Sequence, residues 1–277
     1  METFLNSSFF REGRAVSLPT PAQIRALNKK NGGVVSFDWP PPVKIEALGL
    51  FVKYGTRVTV TEGQTQVWIR EKLQGRVPIP EVFGWAQDQG QTFLYMSLVH
   101  GDPLNERWPC MTMEERLKIC VELRSAVSAW RNLRQDEGTC YIGSLHKQPL
   151  TDILFTLNEQ VIGPFQGVDA VKQFQDTLGI DVVNPGPVVF THNDLVACNI
   201  LVGRNSSNIS AIIDWGQAGW YPAYWEYCKA QHINVPDDRF FNDYEQEWKQ
   251  EYLPQIMSPV DEVKVWHPFL HSAMSKI

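Results

Sequence analysis

The sequence predicts an α+β fold, because strand-like and helix-like segments occupy different parts of the 277-residue chain. Short apolar runs separated by Gly, Pro and polar turns are concentrated before Gly101 and indicate strands. The longest helical pattern follows them at residues 114–133, where apolar side chains recur at helical spacing. Strands grouped ahead of helices are typical of the α+β class.

Composition restricts the classes of protein to which the chain can belong. Hydrophobic residues make up 43% of the chain, and 25 basic against 31 acidic residues give a net charge of −6. These values are ordinary for a soluble globular protein that buries a sizeable core. The acidic balance argues against a broad nucleic-acid-binding surface and favours a cationic or neutral small substrate.

The cysteines and the apolar runs indicate where the protein resides. Five cysteines are dispersed without a C-x-x-C pair, a pattern that indicates reduced thiols rather than disulfides or a zinc site. The N-terminus lacks the features of a secretory signal, and no apolar run is long enough to cross a bilayer. We therefore expect a cytoplasmic protein that does not contact a membrane.

The first part of the chain predicts a small sheet with one main helix. A short helix is expected at residues 19–30, and the strongest strand is expected at 49–55, where Lys53 lies between apolar neighbours. A helix over 59–73 carries Glu62 and Glu71, and Thr61 is a candidate capping residue. The remaining strands are predicted at 34–37, 43–47 and 92–99, and the proline-containing stretch 77–84 is the entry into a further strand before a turn at 88–90.

The second part of the chain predicts mainly helices. Thr112 and Glu115 form a capping-box pattern ahead of the helix at 114–133. Residues 139–165 read as loops and short turns. Further helices are expected at 168–178, 222–231 and 237–253.

The stretch from 188 to 229 carries the most informative polar residues. Asp194 and Asn199 follow one apolar run, and Asp214 ends another after a polar turn. A hairpin between these runs would bring two carboxylates and an amide together, and Mg²⁺ prefers such oxygen ligands. The alternative is that both aspartates are turn residues and Asn199 is a cap.

The order H-x-D-x-x-x-x-N, then a hairpin, then I-I-D-W, resembles the catalytic core of the aminoglycoside phosphotransferase and choline kinase-like family. Residues 218–227 resemble its fungal branch in particular. The resemblance implies a bilobal protein-kinase-like fold, whose small lobe has an antiparallel sheet plus one helix. Residues 1–97 would form this nucleotide-binding lobe, with 1–31 as an N-terminal extension. Residues 98–277 would form a larger, mainly helical lobe for catalysis and acceptor binding.

The same resemblance implies roles for individual residues. Asp194 would be the catalytic base that accepts the substrate hydroxyl proton, and Asn199 and Asp214 would be the metal ligands. Lys53 would contact nucleotide phosphates and pair with Glu62, and Glu71 is the second choice as its partner. A lysine at a strand edge that faces water is the alternative for Lys53. Backbone groups of the linker between the two lobes would bind the adenine base; this linker comprises Met96, Ser97, Leu98 and Val99.

Other residues are expected to have structural roles, and some positions differ from the pattern of the family. His192 is expected to be an internal strut, and Glu226 an architectural residue that anchors an arginine. Asn193 stands where the family usually has Gly, and Gly216-Gln217 replaces an acidic-then-hydrophobic pair. No G-x-G-x-x-G pattern lies between Gly32 and Gly49, so the segment that covers the phosphates is unassigned.

The predicted function is ATP- and Mg²⁺-dependent transfer of the γ-phosphoryl group to a hydroxyl of a small molecule. Acidic and aromatic residues in 237–253 would suit an amine-bearing acceptor through cation–π contact, although a solvated helix face explains the same charges. Two alternatives are a catalytically silent nucleotide- or metabolite-binding protein and a kinase-like cleft reused for other secondary-metabolite chemistry. The sequence specifies neither the acceptor, nor ATP over GTP, nor the oligomeric state.

Overall fold

A computed structural model describes residues 1–30, 36–135, 138, 140–156, 162–204, 206–232, 244–261, 265 and 269. The chain forms two compact units. Unit 1 comprises Met1–His100 and Ala211–Gly216, and unit 2 comprises Gly101–Ser210 and Gln217–Ile277. The sequence-based division after residue 97 assigns Asp214 to the second part, whereas the structure includes it in unit 1.

Unit 1 is built on an antiparallel sheet with one long helix. Its strands lie in the order β1-β4-β5-β3-β2. Each neighbouring pair is antiparallel, and Lys53 of β3 lies opposite Leu94 of β5. The elements are β1 (Glu2–Thr3), α1 (Ser8–Arg11), α2 (Pro21–Lys30), β2 (Val43–Ile45), β3 (Leu50–Gly55), α3 (Val60–Leu73), β4 (Val82–Asp88) and β5 (Gln91–Ser97).

The alternation of β3 determines which face of the sheet Lys53 occupies. Leu50, Val52 and Tyr54 are buried in one apolar cluster on one face of the strand. Because successive side chains point to opposite faces, Phe51 and Lys53 lie on the other face. Phe51 packs there against a cluster that also contacts Val67 of α3. The period-2 pattern of the strand therefore directs Lys53 towards the side of the sheet that α3 covers.

The helix α3 lies close to the sheet next to Glu62. A side chain at Gly63 would place its Cβ 2.8 Å from Cδ1 of Leu94 and 3.0 Å from Cε3 of Trp85. Glycine is therefore required for this approach, and the helix pays a small conformational cost for it. The close contact brings the first turn of α3 near the strand that carries Lys53.

The N-terminal residues are an integral part of unit 1 rather than an extension. Strand β1 pairs with β4 at the edge of the sheet. Phe9, Leu18 and Ile24 are buried in the same cluster as the apolar residues of β3. Removing this segment would expose core side chains and an inner sheet strand.

The segment Ala211–Gly216 is fastened to unit 1 by backbone and side-chain hydrogen bonds. The N–H of Ile212 donates to the carbonyl of Pro78 at 2.8 Å. The indole N–H of Trp215 donates to the carbonyl of Ile212 at 3.0 Å, and Trp215 is buried. These contacts on both sides of Asp214 fix the backbone that carries its carboxylate.

Unit 2 is mainly helical, with short paired strands. Its last helical turns are Glu245–Glu247, Trp248–Tyr252 and Leu253–Ile256. The strand Ile209–Ile212 (β11) crosses from unit 2 into unit 1. The other elements are β6 (Asp102–Pro103), α4 (Leu104–Arg107), α5 (Met113–Arg131), β7 (Tyr141–Ile142), α6 (Ile153–Thr156), β8 (Phe165–Gln166), α7 (Ala170–Leu178), β9 (Val188–Thr191), β10 (Ile200–Val202), β12 (Gly219–Pro222) and α8 (Trp225–His232).

The core of unit 2 lies where the strand pair β9–β12 meets the helices. Strand β12 pairs antiparallel with β9, with Thr191 opposite Gly219. The helix α5 packs on β9, and its N-terminus carries the capping box predicted at Thr112 and Glu115. A large aromatic cluster that includes Phe155, Phe174 and Trp225 fills the rest of the core. Among the described residues, no helix has the length and apolarity required to cross a membrane.

Two element predictions are only partly matched. Ser36 and Phe37 are not in a strand, and the rest of the predicted strand at 34–37 lies outside the described residues. The predicted helix at 237–253 lies outside the described residues up to position 243 and is helical from Glu245 onwards. The other predicted helices and strands correspond to elements whose ends shift by a few residues.

Candidate active site

Lys53 forms two salt bridges within unit 1. Its Nζ lies 2.7 Å from Oε1 of Glu62 and 2.8 Å from Oδ1 of Asp214. The side chain of Lys53 is 26% exposed and that of Glu62 is 5% exposed. The alternative of a lysine facing water is therefore wrong, and the predicted pairing with Glu62 is present.

The first turn of α3 places Glu62. The side chain of Thr59 caps the helix by accepting a hydrogen bond from the N–H of Glu62 at 3.1 Å. Thr61 is therefore not the capping residue. Glu71, the alternative partner of Lys53, is exposed. The capping bond fixes the backbone of Glu62, which lies near the positive end of the helix dipole.

The charge state of Lys53 follows from its two carboxylate neighbours. Burial by itself would lower the pKa of Lys53 by disfavouring the ammonium form. The charges and hydrogen bonds of Glu62 and Asp214 outweigh that effect, so the pKa of Lys53 lies above its ordinary value. Lys53 therefore remains a cation throughout the physiological pH range.

Asp214 has a backbone conformation that is uncommon outside glycine. Its φ is +64°, in the left-handed region, where Asp and Asn are the residues most often tolerated. The residue two positions later must be small: a Cβ at Gly216 would lie 3.2 Å from Oε2 of Glu62 and 3.4 Å from Oδ1 of Asp214. We define the Lys53 cluster as Lys53, Glu62 and Asp214. The absence of a side chain at Gly216, which departs from the family pattern, leaves room for the two carboxylates of this cluster.

The predicted linker from Met96 to Val99 begins at the end of β5. Met96 is buried, and its sulfur accepts a hydrogen bond from the amide of Gln66 at 3.2 Å. The N–H groups of Ser97 and Leu98 donate to the carbonyls of Glu81 and Gly49. These two donors are engaged in the sheet, and Val99 follows beyond the strand.

In unit 2, the turn His192–Asn193–Asp194 carries the predicted base. Asn193 has φ +63°, the left-handed conformation that a glycine would also adopt. The N–H of Asp194 donates to Nδ1 of the fully buried His192 at 3.2 Å. His192 is therefore the internal strut that the sequence predicts, and Asn193 preserves the shape of the turn.

Asn199 is oriented by Asp194. Its Nδ2 donates to the carbonyl oxygen of Asp194 at 2.9 Å and to Oδ2 of the same residue at 3.0 Å. These two acceptors identify the amide nitrogen, so the Oδ1 oxygen points away from the Asp194 carboxylate. The short helical turn Ala197–Asn199 presents this side chain directly before β10.

Glu226 holds the backbone of the turn. One carboxylate oxygen accepts the N–H of His192 at 2.8 Å and the N–H of Asn193 at 3.1 Å. The other oxygen lies 3.0 Å from Nη2 of Arg131 on α5. Glu226 is 1% exposed, and the expectation that it anchors an arginine is confirmed.

A buried cluster next to the turn was not predicted. Asp152 and Lys229 pair at 2.8 Å with almost no exposure of either side chain. Gln217 accepts from Lys229 at 2.6 Å and from the N–H of Ile153 at 2.8 Å. Asp152 also accepts a hydrogen bond from the amide of Asn193 at 2.8 Å. The replacement at Gln217 therefore supplies a polar partner for a buried lysine.

The acidic residues proposed to bind an amine are paired within the chain where they are described. Glu247 lies 2.8 Å from Nη1 of Arg116, and Glu245 pairs with Lys249. Trp248 and Tyr252 are buried against Trp108. This described part of the segment is structural, and Asp237, Asp238, Phe240, Phe241 and Asp243 lie outside the described residues.

The donor set fits magnesium better than a protein-only metal cage. Among the described residues, no group of three or more His, Cys, Asp or Glu is arranged to hold a metal. Magnesium commonly takes one or two protein oxygens and completes its shell with phosphate and water. The amide oxygen of Asn199 in unit 2 and the carboxylate of Asp214 in unit 1 have this chemistry, and their joint binding of a metal stays a prediction.

A sequence model described as the APH phosphotransferase enzyme family matches residues 61–259. This range includes every predicted site residue except Lys53. No protein of curated function matches the sequence.

Solved structures with a similar fold include aminoglycoside-3'-phosphotransferase of type VIII, with 17% identity and a TM-score of 0.52 over 81% of this chain and 84% of that chain. They also include APH(3'')-Id from Streptomyces rimosus in complex with ADP and streptomycin, with 14% identity and a TM-score of 0.51. The latter alignment covers 92% of this chain and 98% of that chain. At these identities the likeness establishes the fold, and the predicted protein-kinase-like α+β fold is confirmed.

Proposed function

Because the chain belongs to the phosphotransferase enzyme family, we propose that it transfers the γ-phosphoryl group of ATP to a hydroxyl of a small molecule. The observation that carries this proposal is the Lys53 cluster, in which one lysine contacts Glu62 and Asp214 at 2.7 and 2.8 Å. A glutamate on a helix that holds a strand lysine in place is the arrangement that protein kinases use to position nucleotide phosphates. The complex of the S. rimosus relative with ADP also supports a nucleotide ligand.

The nucleotide would be held by unit 1 through charge and backbone contacts. Lys53 would contact the phosphates as a fixed cation, because Glu62 prevents it from rotating away. The linker at Met96, Ser97, Leu98 and Val99 would bind the base. Since the N–H groups of Ser97 and Leu98 are already engaged, the N–H of Val99 would be the donor to the base.

The acceptor hydroxyl would be oriented by Asp194. The base orients the acceptor hydroxyl and accepts its proton during the transfer, so its carboxylate must be both correctly placed and basic. His192 and Glu226 hold the turn from opposite ends, which keeps the Asp194 carboxylate in a defined position. Asn199 and Asp214 would be the ligands of magnesium, which when bound would neutralise charge on the phosphate oxygens.

The proposal is tested by screening hydroxylated and aminated small molecules for Mg²⁺-dependent formation of ADP. Streptomycin belongs in this screen because the S. rimosus relative binds it. GTP should be compared with ATP as the donor. Acceptor-dependent ADP formation is expected, and it should vanish when magnesium is chelated.

The assignment of the base is tested with Asp194→Asn, which keeps the size of the side chain and removes its basicity. Removal of a general base typically lowers turnover by roughly 10²- to 10⁴-fold. Binding of Mg–ATP without ADP formation for any acceptor would favour a catalytically silent binding protein. Consumption of ATP with a product that lacks phosphate would favour reuse of the site for other secondary-metabolite chemistry. The cytoplasmic location and the fungal branch stay predictions.

A further inference from the structure

A buried network of polar side chains lies beside the turn that carries Asp194. We define the Asp152 network as Asp152, Asn193, Gln217, Trp225 and Lys229. Asp152 and Trp225 have no exposed surface, and Asn193 and Lys229 are each 1% exposed. All five residues belong to unit 2.

Each carboxylate oxygen of Asp152 accepts two hydrogen bonds. Oδ1 accepts from Nζ of Lys229 at 2.8 Å and from the N–H of Leu154 at 2.9 Å. Oδ2 accepts from Nδ2 of Asn193 at 2.8 Å and from the indole N–H of Trp225 at 3.0 Å. Such complete pairing is what permits a carboxylate to remain charged in the interior.

The network fixes the orientation of Asn193. The side-chain nitrogen of Asn193 donates to Oδ2 of Asp152 and also to the carbonyl of Gln217, at 3.3 Å. Both partners are acceptors, so only one orientation of the amide satisfies them. Glu226 meanwhile holds the backbone N–H of the same residue at 3.1 Å. Asn193 is thus fastened by its side chain and by its backbone.

Stability alone does not account for such a network. The desolvation of a buried ion pair often cancels its attraction, and an apolar replacement of similar volume can be as stable. Buried pairs are better explained in some proteins by the unique conformation that they select. Here the conformation selected is that of a residue in the left-handed region, directly before the predicted catalytic base.

We propose that the Asp152–Lys229 pair is a positioning device that sets the geometry of the catalytic turn through the Asn193 amide. The pair acts through the Asn193 side chain, a contact that glycine at position 193 could not make. The pair acts on Asp194 through the neighbouring residue and does not contact the reacting groups. This inference rests on the proposed function for the meaning of a catalytic turn.

A double-mutant cycle on turnover tests the proposal. Asp152→Leu/Lys229→Met removes both buried charges and the acceptor of the Asn193 amide, and Asn193→Gly removes the amide while tolerating the positive φ. Each variant should lower kcat for Mg²⁺- and acceptor-dependent ADP formation roughly tenfold and leave KM for ATP unchanged. The combined variant should be no slower than either parent, because the link is already broken in both.

Thermal unfolding of each variant gives the fraction of protein that is folded in the kinetic assay. This fraction separates a positioning role from a purely structural one. If the network served stability alone, the kcat losses would multiply in the combined variant or follow the fraction of folded protein. The single variant Asp152→Leu, in which Lys229 keeps Gln217 but loses its carboxylate partner, should not recover kcat. Multiplicative losses, or a rise in KM with unchanged kcat, would overturn the proposal.

Hydrogen exchange provides a readout that does not depend on turnover. Amides of the 190–196 segment should exchange faster in Asp152→Leu/Lys229→Met and in Asn193→Gly, while those of α5 stay protected. Unchanged exchange of this segment in both variants would overturn the proposal. If wild-type protein forms no ADP with any acceptor but exchange rises as expected, the proposed function fails and the positioning contact stands.

Discussion

Lys53 illustrates how a single residue combines a local pattern with distant partners. Its place in an apolar strand is visible in the sequence, and so is a glutamate on the following helix. Its contact with Asp214 joins residues 161 positions apart. Whether Lys53 faces water or carboxylates depends on tertiary packing, which explains why two interpretations were open from the sequence.

Replacing Lys53 should reveal the cost of leaving Glu62 alone in the interior. Lys53→Met is expected to lower the free energy of unfolding by on the order of 3 kcal/mol, because it leaves a buried carboxylate without its cation. The double variant Lys53→Met/Glu62→Gln should recover most of that loss. Chemical denaturation measures both values, and equal destabilisation in the single and double variants would contradict the ion-pair account.

The pH dependence of this contribution has a definite sign. Because the folded pKa of Lys53 lies above its unfolded value, near 10.4, its stabilisation is complete below that value. It is lost only as the pH rises through the higher folded pKa. Because burial also raises the pKa of Glu62, the clean comparison is between Glu62→Gln and Lys53→Met/Glu62→Gln, whose difference in unfolding free energy should be the same at pH 7 and pH 9. A marked decline over this interval would mean that Lys53 is not held as a cation.

The Asp152 network marks the limit of sequence reasoning at the residue scale. Asp152 falls in a region read as loops, and Lys229 reads as an ordinary helix residue. Their sequence separation of 77 leaves no local pattern that pairs them. The one available signal was the coincidence of unusual residues at Asn193 and Gln217, both of which turn out to contact the pair.

At the scale of elements, the sequence was most informative where side-chain periodicity was strong. The helix α5 and its capping box, and the strand β3, follow from apolar spacing and a short capping motif. The sequence did not identify the capping residue of α3, since Thr59 and Thr61 both precede Glu62. Only the hydrogen bond from the N–H of Glu62 to the side chain of Thr59 distinguishes them. Ser36 and Phe37, the described part of the strand expected at 34–37, are not in a strand.

Weakening the cap of α3 should affect both stability and nucleotide binding. Thr59→Ala is expected to destabilise the protein by about 1 kcal/mol, because the N–H of Glu62 loses its side-chain acceptor. We also expect a higher KM for ATP, since the first turn of α3 positions the partner of Lys53. Thr59→Ser, which retains the hydroxyl, is the matched control. Loss of stability without any change in KM would separate the cap from the nucleotide site.

At the scale of the whole molecule, the family and the fold were predictable because one compact stretch carries most of the diagnostic residues. The extent of unit 1 was not, because Ala211–Gly216 joins it through contacts that are distant in sequence, among them the hydrogen bond from Ile212 to Pro78. The integration of the N-terminal residues into the sheet was also missed, since a two-residue strand leaves almost no pattern. The acceptor was not predictable, because the sequence carries no motif that specifies one.

Nucleotide binding should stabilise the whole protein. A ligand at 100 times its Kd adds about 2.7 kcal/mol to the free energy of unfolding, which corresponds to a rise in Tm of several degrees for a chain of this size. Mg–ATP should produce this shift in wild type and a much smaller one in Lys53→Met or Asp214→Ala. Thermal denaturation with and without nucleotide provides the measurement, and Asp194→Asn is the control that should shift like wild type. An equal shift in all variants would place the nucleotide elsewhere.

The fate of the γ-phosphoryl group tests the central claim most directly. ATP labelled at the γ-phosphate should be incubated with magnesium and the acceptor found in the ADP screen, and the labelled products separated. We expect the label on an organic phosphate ester with wild-type protein, and almost none with Asp194→Asn even though that variant still binds Mg–ATP. Label that appears only as inorganic phosphate, or that reaches the acceptor equally with both proteins, would contradict the account.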